Sequence, residues 1–334
     1  MVTMSDVARE AGVSMMTVSN VLNERRRVGE PTRARVLAAV ESLGYEVNLT
    51  ARHLRAGRTD TVALIVPSFH DYFGEVADKI APLVEADGRH LVLERTSASP
   101  EQEMESLSAA RLQLYDGVLL SVAGLDRDQL DRVRTAKPIV LLGERDAPEQ
   151  FDHVRLANED GARMATAHMI ERGSRHILAL GCSLDSEHMM TSDRRVGWER
   201  AFIDAGLPVD ERYVVPIANY SSQDARTALL DVIASGLPFD GVFAVTDVIA
   251  LGAISALAER GLRVPEDVQL AGFDNLDVSS FVPPGITSVD PNHQLVAERA
   301  VGLLSRRMEG DAGPAEHIVA PVHLVVRGST RGGR

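Results

Sequence analysis

Residues 3–23 read TMSDVAREAGVSMMTVSNVLN, and this stretch predicts two short helices joined by a tight turn. Thr3 and Asp6 have the spacing of a capping box, which satisfies backbone donors of the first helical turn. Gly12 follows at a position suited to ending the first helix. Ser14 then caps a second helix, so that only two residues separate the pair. Two helices with so short a connection predict a helix-turn-helix.

A third helix completes a small all-α core. It is expected to start near Pro31, a favoured first-turn residue, and to stop at Gly44. The apolar residues that recur along it at helical spacing are Val36, Leu37, Val40 and Leu43. Three apolar faces are enough to build a small three-helix unit.

The second helix of the pair presents an unusual outward face. Val18, Val21 and Leu22 are expected to face inward, which leaves Met15 and Met16 in water at the helix N-terminus. That arrangement is unfavourable unless the end enters a DNA major groove, where thymine methyls accept apolar contacts and Asn pairs with adenine. The alternative is that one Met packs on the neighbouring helix. The candidate DNA contacts of this helix are Ser14, Met15, Met16, Thr17, Ser19, Asn20 and Asn23.

A short segment after the third helix is a second candidate for DNA contact. Asn48 caps it and Gly57 ends it, and it is too short to be stable as a lone helix. Leu54 lies between arginines, as an apolar wedge for the minor groove does. The other interpretation is a solvated linker. The candidate contacts of this segment are Thr50, Arg52, Leu54 and Arg55.

Charge is distributed unevenly along the 334 residues. The whole chain has a net charge of −13, which is not typical of a nucleic-acid binder. Residues 1–59, however, hold nine Arg, no Lys and six acidic residues, a net charge of +3 that leaves −16 for the remainder. This asymmetry predicts a small basic unit attached to a large acidic one.

Other composition features exclude several classes of protein. Cys182 is the single cysteine, so an intrachain disulfide and a Cys-rich zinc site are excluded. No apolar run approaches the ~18 residues of a membrane span, and residues 1–10 lack the apolar core of a signal peptide. We therefore predict a cytoplasmic protein that uses neither a metal nor a cofactor.

From Thr61 onward, apolar runs alternate with amphipathic helices. This alternation predicts α/β lobes of doubly wound parallel sheets, and eight strands are too many for one small sheet, so two lobes with a cleft fit better. The predicted strands are Thr61–Pro67, His90–Glu94, Gly117–Val122, Pro138–Gly143, Ile177–Gly181, Val214–Ala218, Gly241–Val245 and Val268–Phe273. The main predicted helices are Glu75–Ala86, Glu159–Arg172, Arg195–Ala205, Ala225–Ala234 and Val248–Arg260.

Ligands of open α/β sheets bind beyond the carboxyl ends of the strands. Arg, Asp and Asn side chains with two or three aromatic rings suit a polyhydroxylated ring, because Arg and Asp bind adjacent hydroxyls and aromatic faces cover C–H faces. Alternatively, Arg194 and Asp274 form a salt bridge between lobes, the aromatic residues belong to the core, and Asp247 caps a helix. The candidate ligand contacts are Asp71, Tyr72, Phe73, Arg194, Tyr220, Thr246 and Asp274.

The chain resembles the LacI/GalR family of bacterial transcription regulators along essentially its whole length. The N-terminal resemblance is carried by Ser5-Asp6-Val7-Ala8, Ala11-Gly12-Val13-Ser14, Thr17-Val18-Ser19, Val21-Leu22-Asn23, Leu43-Gly44-Tyr45 and the Asn48–Leu54 stretch. The core resemblance is carried by Val264-Pro265-Glu266-Asp267-Val268, Gly272-Phe273-Asp274-Asn275, Thr287-Ser288-Val289 and Arg327-Gly328-Ser329-Thr330.

The resemblance implies a DNA-binding headpiece at 1–47, a hinge helix at 48–59 and a two-lobed core at 60–334 that resembles periplasmic binding proteins. It further implies a ligand-responsive repressor that binds a near-palindromic operator as a homodimer, with Arg194 and Asp274 contacting a sugar-like effector. Asn20 stands where the family usually has Arg, so base readout should differ. Thr246 stands where many members have Asn, and this departure changes the expected effector. A nucleoside or sugar-phosphate co-repressor is the alternative.

Rival classes of function are disfavoured by the sequence. No dinucleotide, Walker A, nucleophile-elbow or zinc-protease motif is present, which argues against an enzyme. The predicted helix-turn-helix argues against a secreted sugar-binding protein. A purely architectural DNA-bending protein has no need of an acidic core with a cleft.

Overall fold

The computed structural model describes residues 2–22, 28–45, 58–144, 147–183 and 189–332. The chain divides into two compact units, Met1–Thr59 and Asp60–Arg334. Residues 48–57 of the predicted hinge helix lie outside the described residues, so that assignment stays a prediction. Within the described part of the chain, no helix has both the length and the apolar character that crossing a membrane requires.

The first unit contains the helix-turn-helix that the sequence predicts. Its helices are α1 (Met4–Ala11), α2 (Met15–Leu22) and α3 (Glu30–Leu43). Thr3 and Asp6 form the predicted capping box, and Gly12 ends α1 with a φ of 62°. Helix α3 completes the core of the unit. Leu37 on this helix is 47% exposed, so the prediction that it is buried was wrong. Ala39 takes the buried position instead, because it shares a helix face with Val36.

The second unit contains two sheets, and the described residues give each of them six strands. The first lobe has the order β11-β5-β4-β3-β1-β2, and the second has β12-β10-β9-β8-β6-β7. All pairings are parallel except that of β12 with β10. The strands are β1 (Thr61–Val66), β2 (His90–Arg95), β3 (Gly117–Ser121), β4 (Ile139–Leu142), β5 (Asp152–Leu156), β6 (Ile177–Leu180), β7 (Val214–Val215), β8 (Gly241–Ala244), β9 (Gln269–Phe273), β10 (Thr287–Asp290), β11 (His317–Ala320) and β12 (His323–Val325).

Helices cover both sheets, as expected for doubly wound lobes. The two longest helix pairs are α8 with α9, which cover the second sheet, and α4 with α13, which cover the first. The helices of this unit are α4 (Tyr72–Ala86), α5 (Pro100–Ser106), α6 (Ala109–Leu112), α7 (Arg127–Asp131), α8 (Asn158–Glu171), α9 (Met190–Asp204), α10 (Ser222–Ser235), α11 (Asp247–Glu259), α12 (Val278–Phe281) and α13 (His293–Met308).

Strands β5, β10, β11 and β12 were not predicted from the sequence. Each of them contains polar residues, whereas the predicted strands were recognised as apolar runs. In β5, Asp152 accepts two hydrogen bonds from Arg307, at 2.7 and 2.9 Å, and His153 bonds the Gly143 carbonyl. Burial of these polar side chains is tolerated because each has a partner.

The chain passes between the two lobes at three places. It enters the second lobe after β5, returns to the first lobe after β10 through α13, and crosses again between β11 and β12. Each lobe is therefore completed by a strand from the last part of the chain. The carboxyl ends of β1, β4, β6 and β9 are followed in the chain by Tyr72, Glu144, Arg194 and Asp274, and the other three side chains all act on Arg194, so these strand ends meet where the lobes adjoin.

Candidate DNA-facing helix and effector cleft

The outward face of α2 is as apolar as the sequence predicts. Met15 and Met16 are 54% and 69% exposed, whereas Val18 is fully buried. The alternative in which Met15 packs on a neighbouring helix is therefore not what the structure shows. The Ser14 hydroxyl oxygen accepts from the Thr17 amide at 3.1 Å, which caps the helix.

Several predicted DNA contacts are not tested by the structure. Ser19 and Asn20 are partly exposed on α2. The remaining candidates, which lie outside the described residues, are Asn23, Thr50, Arg52, Leu54 and Arg55. Their roles stay predictions.

In the core, Arg194 of the second lobe is buried where Tyr72 and Glu144 of the first lobe approach it. It projects from the second turn of α9 and is only 2% exposed. Its Nε donates to Asn158 Oδ1 at 2.7 Å, and its Nη1 donates to the Val245 carbonyl. Its guanidinium carbon lies 3.4 Å from the centre of the Phe273 ring, a cation–π arrangement.

Asp274 is the ion-pair partner of Arg194. The nearest carboxylate oxygen lies 3.5 Å from Arg194 Nη2, and both side chains are buried. The salt bridge therefore forms within the second lobe and does not join the two lobes. Burial raises the pKa of Asp274 to about 7, even though Arg194 acts in the opposite direction.

The backbone at Asp274 is held in an uncommon conformation. Its φ is 100°, a region that side-chain-bearing residues rarely adopt. Asp247 stabilises this turn. Its carboxylate accepts hydrogen bonds from the Leu276 amide and from the Ser279 and Ser288 hydroxyls, at 2.6 to 2.9 Å. We expected Asp247 to cap α11, and this was wrong.

Thr246 is the residue that caps α11. Its hydroxyl oxygen accepts from the Ile249 amide at 3.3 Å. Thr246 directly follows Val245, whose carbonyl binds Arg194, so it lies at the edge of the cleft. Its hydroxyl oxygen accepts in this cap, while the O–H hydrogen can still donate, so the predicted ligand contact of Thr246 stays a prediction.

The first lobe contributes a more aromatic wall. Tyr72 and Phe73 begin α4, and their rings meet edge to face with centroids 5.3 Å apart. Both also pack against the hydrophobic core, as the alternative interpretation expected. Burial raises the pKa of Tyr72, as do the nearby Glu144 and Asp274 carboxylates, which places Tyr72 beside the Arg194–Asp274 pair.

Glu144 was not identified from the sequence, although it follows the predicted strand β4. One carboxylate oxygen accepts from the Leu156 amide at 3.2 Å. Burial raises its pKa to about 7, while the Leu156 amide and Arg194 act to lower it. Carboxylates of both lobes therefore act to raise the pKa of Arg194, which lies in the second lobe. Because Glu144 directly follows a predicted strand, the rule that ligands bind at strand ends could have identified it from the sequence.

Two polar atoms beside the Arg194 cluster, Thr191 Oγ1 and His293 Nε2, are buried without a hydrogen-bond partner among the described residues. Such atoms are costly, at about 1–3 kcal/mol each, unless a ligand or water satisfies them. Thr191 lies one turn before Arg194 on α9, and His293 packs against Tyr72 with ring centroids 5.3 Å apart. Asn158 accepts from Arg194 through its side-chain oxygen and also hydrogen-bonds Glu144, which acts to lower the pKa of Glu144.

The structure brings four of the seven predicted ligand contacts together. Arg194, Asp274, Tyr72 and Asp71 interact electrostatically, since Asp71 raises the pKa of Asp274. Tyr220 is 48% exposed on a loop, because β7 ends at Val215 and the chain leaves the sheet earlier than predicted.

Other reactive groups do not form a second centre. Cys182 is fully buried, and burial raises the pKa of its thiol to about 12. It is a small residue of the hydrophobic core. Across the part of the chain that the structure describes, no cluster of His, Cys, Asp and Glu has the geometry of a metal site.

Comparison with known families matches both units of the chain. A model described as "Bacterial regulatory proteins, lacI family" matches residues 3–48, and a model described as "Periplasmic binding protein-like domain" matches residues 166–330. The HTH-type transcriptional repressor PurR of Pasteurella multocida is 31% identical over 334 residues, and the match covers 99% of each chain. Catabolite control protein A of Priestia megaterium is 29% identical, with 99% of each chain covered.

Solved structures show the same relationship. The lac repressor dimer bound to operator and an anti-inducer superposes with a TM-score of 0.85, at 25% identity and 99% coverage of both chains. The transcriptional regulator CelR in complex with cellobiose gives a TM-score of 0.72 at 30% identity, and the match covers 98% of this chain and 100% of that one.

Proposed function

The chain belongs to the lacI family of bacterial regulatory proteins, and from that premise we propose that it is a transcriptional repressor controlled by a small effector. In this proposal a homodimer binds a near-palindromic operator in the cytoplasm. A polyhydroxylated effector binds in the cleft between the lobes and changes the affinity for DNA. No residue is assigned a catalytic role, since the relatives are transcriptional regulators.

The charge and exposure of the N-terminal unit support the DNA-binding half. Met15 and Met16 stand exposed at the start of α2, where a recognition helix enters the major groove. Residues 1–59 carry the positive charge, and the acidic core disfavours contact with phosphates. A two-fold dimer follows from the geometry of readout, because one helix-turn-helix contacts only a half-site.

One observation carries the effector half, namely the cluster of polar side chains from both lobes that meets at the buried Arg194. Thr191 Oγ1 and His293 Nε2 are buried beside it without a hydrogen-bond partner among the described residues, and the Thr191 hydroxyl can both donate and accept. A ring bearing several hydroxyls supplies both kinds of partner at once. Tyr72 offers an aromatic face beside them, which suits the C–H face of a sugar.

Effector control then follows from the two-lobed core. An effector that contacts both lobes favours the lobe arrangement that it binds more tightly. If that arrangement binds DNA less well, the effector is an inducer, and linkage requires that DNA weakens effector binding by the same factor. The relative PurR and the operator-bound lac repressor are both described as repressors.

A gel shift with DNA from upstream of the protein's own coding sequence tests both halves. The full chain should bind in a salt-dependent manner and respond to one member of a panel of sugars, and a chain lacking residues 1–58 should not bind. Effector binding can be followed by tryptophan fluorescence, because Trp198 is the single tryptophan and lies on α9 one turn from Arg194. Binding that persists without residues 1–58 contradicts the proposal.

Base readout by α2 has its own test. Replacing Met16 and Asn20 together with Ala should flatten sequence preference at a few half-site positions, each worth about 1–3 kcal/mol. Non-specific binding should persist, because phosphate contacts position the protein without reading bases. Selected-site libraries for wild type and variant provide the measurement. An unchanged consensus assigns readout to other side chains.

A further inference from the structure

Two adjacent methionines on the first turn of α2 are highly exposed. Among the methionines that the structure describes, Met15 and Met16 are the most exposed, at 54% and 69%. Met104 in the first lobe follows at 37%, and Met169 in the second lobe is fully buried. The other described methionines are half-buried. A small molecule in solution therefore reaches the side chains of Met15 and Met16 more readily than those of the other described methionines.

The fold of the first unit does not depend on these two side chains. Its apolar core includes Val18 and Val36, and neither Met15 nor Met16 belongs to it. The start of α2 is capped by Ser14, whose hydroxyl oxygen accepts from a backbone amide of the first turn. A chemical change confined to the two thioether groups therefore alters the outward face of α2 and leaves its packing in place.

The thiol of the chain is withdrawn from solvent. Cys182 is the single cysteine, it is fully buried, and burial raises the pKa of its thiol to about 12. Because the thiolate is the form that reacts with oxidants, this cysteine is a poor target. An oxidant in solution therefore meets the exposed thioethers of Met15 and Met16 first.

From this arrangement we propose that Met15 and Met16 form an oxidation site through which peroxides control DNA binding. The inference rests on the proposed DNA-binding function and adds a form of control that does not involve the effector cleft. The sulfur lone pair attacks one oxygen of hydrogen peroxide, an S–O bond forms as the O–O bond breaks, and the second oxygen leaves as water. Each sulfur loses two electrons and becomes a sulfoxide, and the peroxide gains those electrons.

The sulfoxide changes what α2 presents to the major groove. A thioether makes apolar contacts with thymine methyl groups, whereas a sulfoxide carries a polar oxygen that accepts hydrogen bonds and cannot donate one. Beside a methyl group this oxygen loses its water and gains no partner, which is unfavourable. Oxidation should therefore lower the affinity for the specific site at least about tenfold, the scale of one misread base pair. Methionine sulfoxide reductases reverse the change, so the site can act as a switch.

The first test uses the wild-type full chain. The reduced protein selects its duplex from a random library and is then treated with hydrogen peroxide, either free or bound to that duplex. Peptide mass spectrometry follows the gain of oxygen at each methionine, and gel shifts follow binding. Met15 and Met16 should be oxidised before Met104, the bound duplex should protect only Met15 and Met16, and methionine sulfoxide reductases should restore binding.

The outcomes of this test separate the inference from the proposed function. Unchanged affinity after both sulfurs are oxidised, or oxidation of Met15 and Met16 no faster than that of Met104, overturns the inference alone. A lower unfolding midpoint of the oxidised chain also overturns it, because the loss of binding then reflects damage to the fold. A reduced chain that selects no duplex contradicts the proposed function and the inference together.

Variants separate oxidation at this site from oxidation elsewhere. The double variant Met15→Leu/Met16→Leu removes both sulfurs and keeps apolar side chains. On the duplex that it selects itself, its affinity should be the same before and after peroxide treatment. Met104→Leu is the matched control and should lose affinity as the wild type does. Met15→Gln/Met16→Gln imitates the polar acceptor and should bind the wild-type duplex weakly without any oxidant. A Leu variant as sensitive to peroxide as wild type overturns the inference.

Discussion

The two lobes share one strand order but differ in what they place at the cleft. The second lobe presents a buried ion pair, Arg194 with Asp274, on a strained turn that the Asp247 carboxylate stabilises. The first lobe presents the Tyr72 and Phe73 rings together with the buried Glu144 carboxylate. Strand order fixes where a ligand can bind, and the residues just beyond the strand ends decide which chemistry is found there.

The lobes also differ at their edges. The edge strand of the first lobe, β2, has six residues and is largely exposed, whereas the edge strand of the second, β7, has two buried residues. Exposed edges are normally protected by charge or by a partner. At this edge the second lobe is the more buried of the two, and the following predictions compare buried contacts of the second lobe with exposed ones of the first.

The largest expected effect is the loss of the buried ion pair. Arg194→Ala leaves Asp274 without a counter-ion and removes the donor to Asn158, which should lower the free energy of unfolding by about 3 kcal/mol and abolish the effector response. Arg89→Ala is the first-lobe control, because Arg89 pairs with the half-exposed Asp87 at 3.0 Å. Its cost should be below about 1 kcal/mol. Urea unfolding followed by circular dichroism measures both, and equal losses contradict the contrast.

Close packing between helices is the next contrast. A Cβ at Gly197 in α9 lies 2.1 Å from the Glu159 carbonyl of α8, so Gly197→Ala must push two helices apart. The expected loss of stability is about 2–3 kcal/mol. Gly302 in α13 of the first lobe has nothing within 4 Å of the same atom, and Gly302→Ala should add about 0.5–1 kcal/mol. Thermal unfolding of the two variants should therefore shift in opposite directions.

Acid should weaken the second lobe through His168, and at pH 5.5 this is the smallest effect of the three. His168 is buried in α8 with Nε2 2.9 Å from the Thr330 hydroxyl, and burial lowers its pKa from 6.5 to about 4, with a contribution from Arg172. A depressed pKa means that this stability is present above pH 6.5 and is lost as the pH falls towards 4. At pH 5.5 the loss is about 1 kcal/mol.

His168→Gln keeps a donor to Thr330 but cannot titrate. The variant should therefore show a shallower decline in unfolding free energy between pH 6.5 and pH 4 than wild type. Urea titrations at a series of pH values provide the comparison. The same slope in both proteins would show that other groups cause the acid sensitivity.

Local patterns predicted most of the elements because local chemistry dictates them. The Thr3–Asp6 capping box and the glycine that ends α1 depend on neighbours within four residues. Strand β5 was missed because its Asp152 and His153 are satisfied by residues distant in sequence, which no local pattern reveals. Leu37 was assigned to the core because spacing indicates a helix face but not where that face ends.

The residues of the candidate site likewise divide into those that the sequence predicted and those that it missed. Arg194 and Asp274 follow from strand ends and from family resemblance, and the structure pairs them at 3.5 Å, while their contact with an effector stays a prediction. The contributions of Asn158 and His293 could not be foreseen, since each lies where the chain passes between lobes after a strand that the sequence did not predict. Asp247 was taken for a cap because its bonds to Ser279 and Ser288 form only once β9 and β10 are paired.

The three passages of the chain between the lobes have a consequence for synthesis on the ribosome. The helix-turn-helix is complete at Leu43, but neither sheet has all its strands until β11 and β12, which start at His317 and His323. At about 5–20 residues per second, the interval from Leu43 to His317 lasts roughly 15 to 55 seconds. During that time the nascent chain contains the complete helix-turn-helix unit, but neither lobe of the core is complete. A chain released early therefore keeps the module that contacts DNA and loses the module that regulates it.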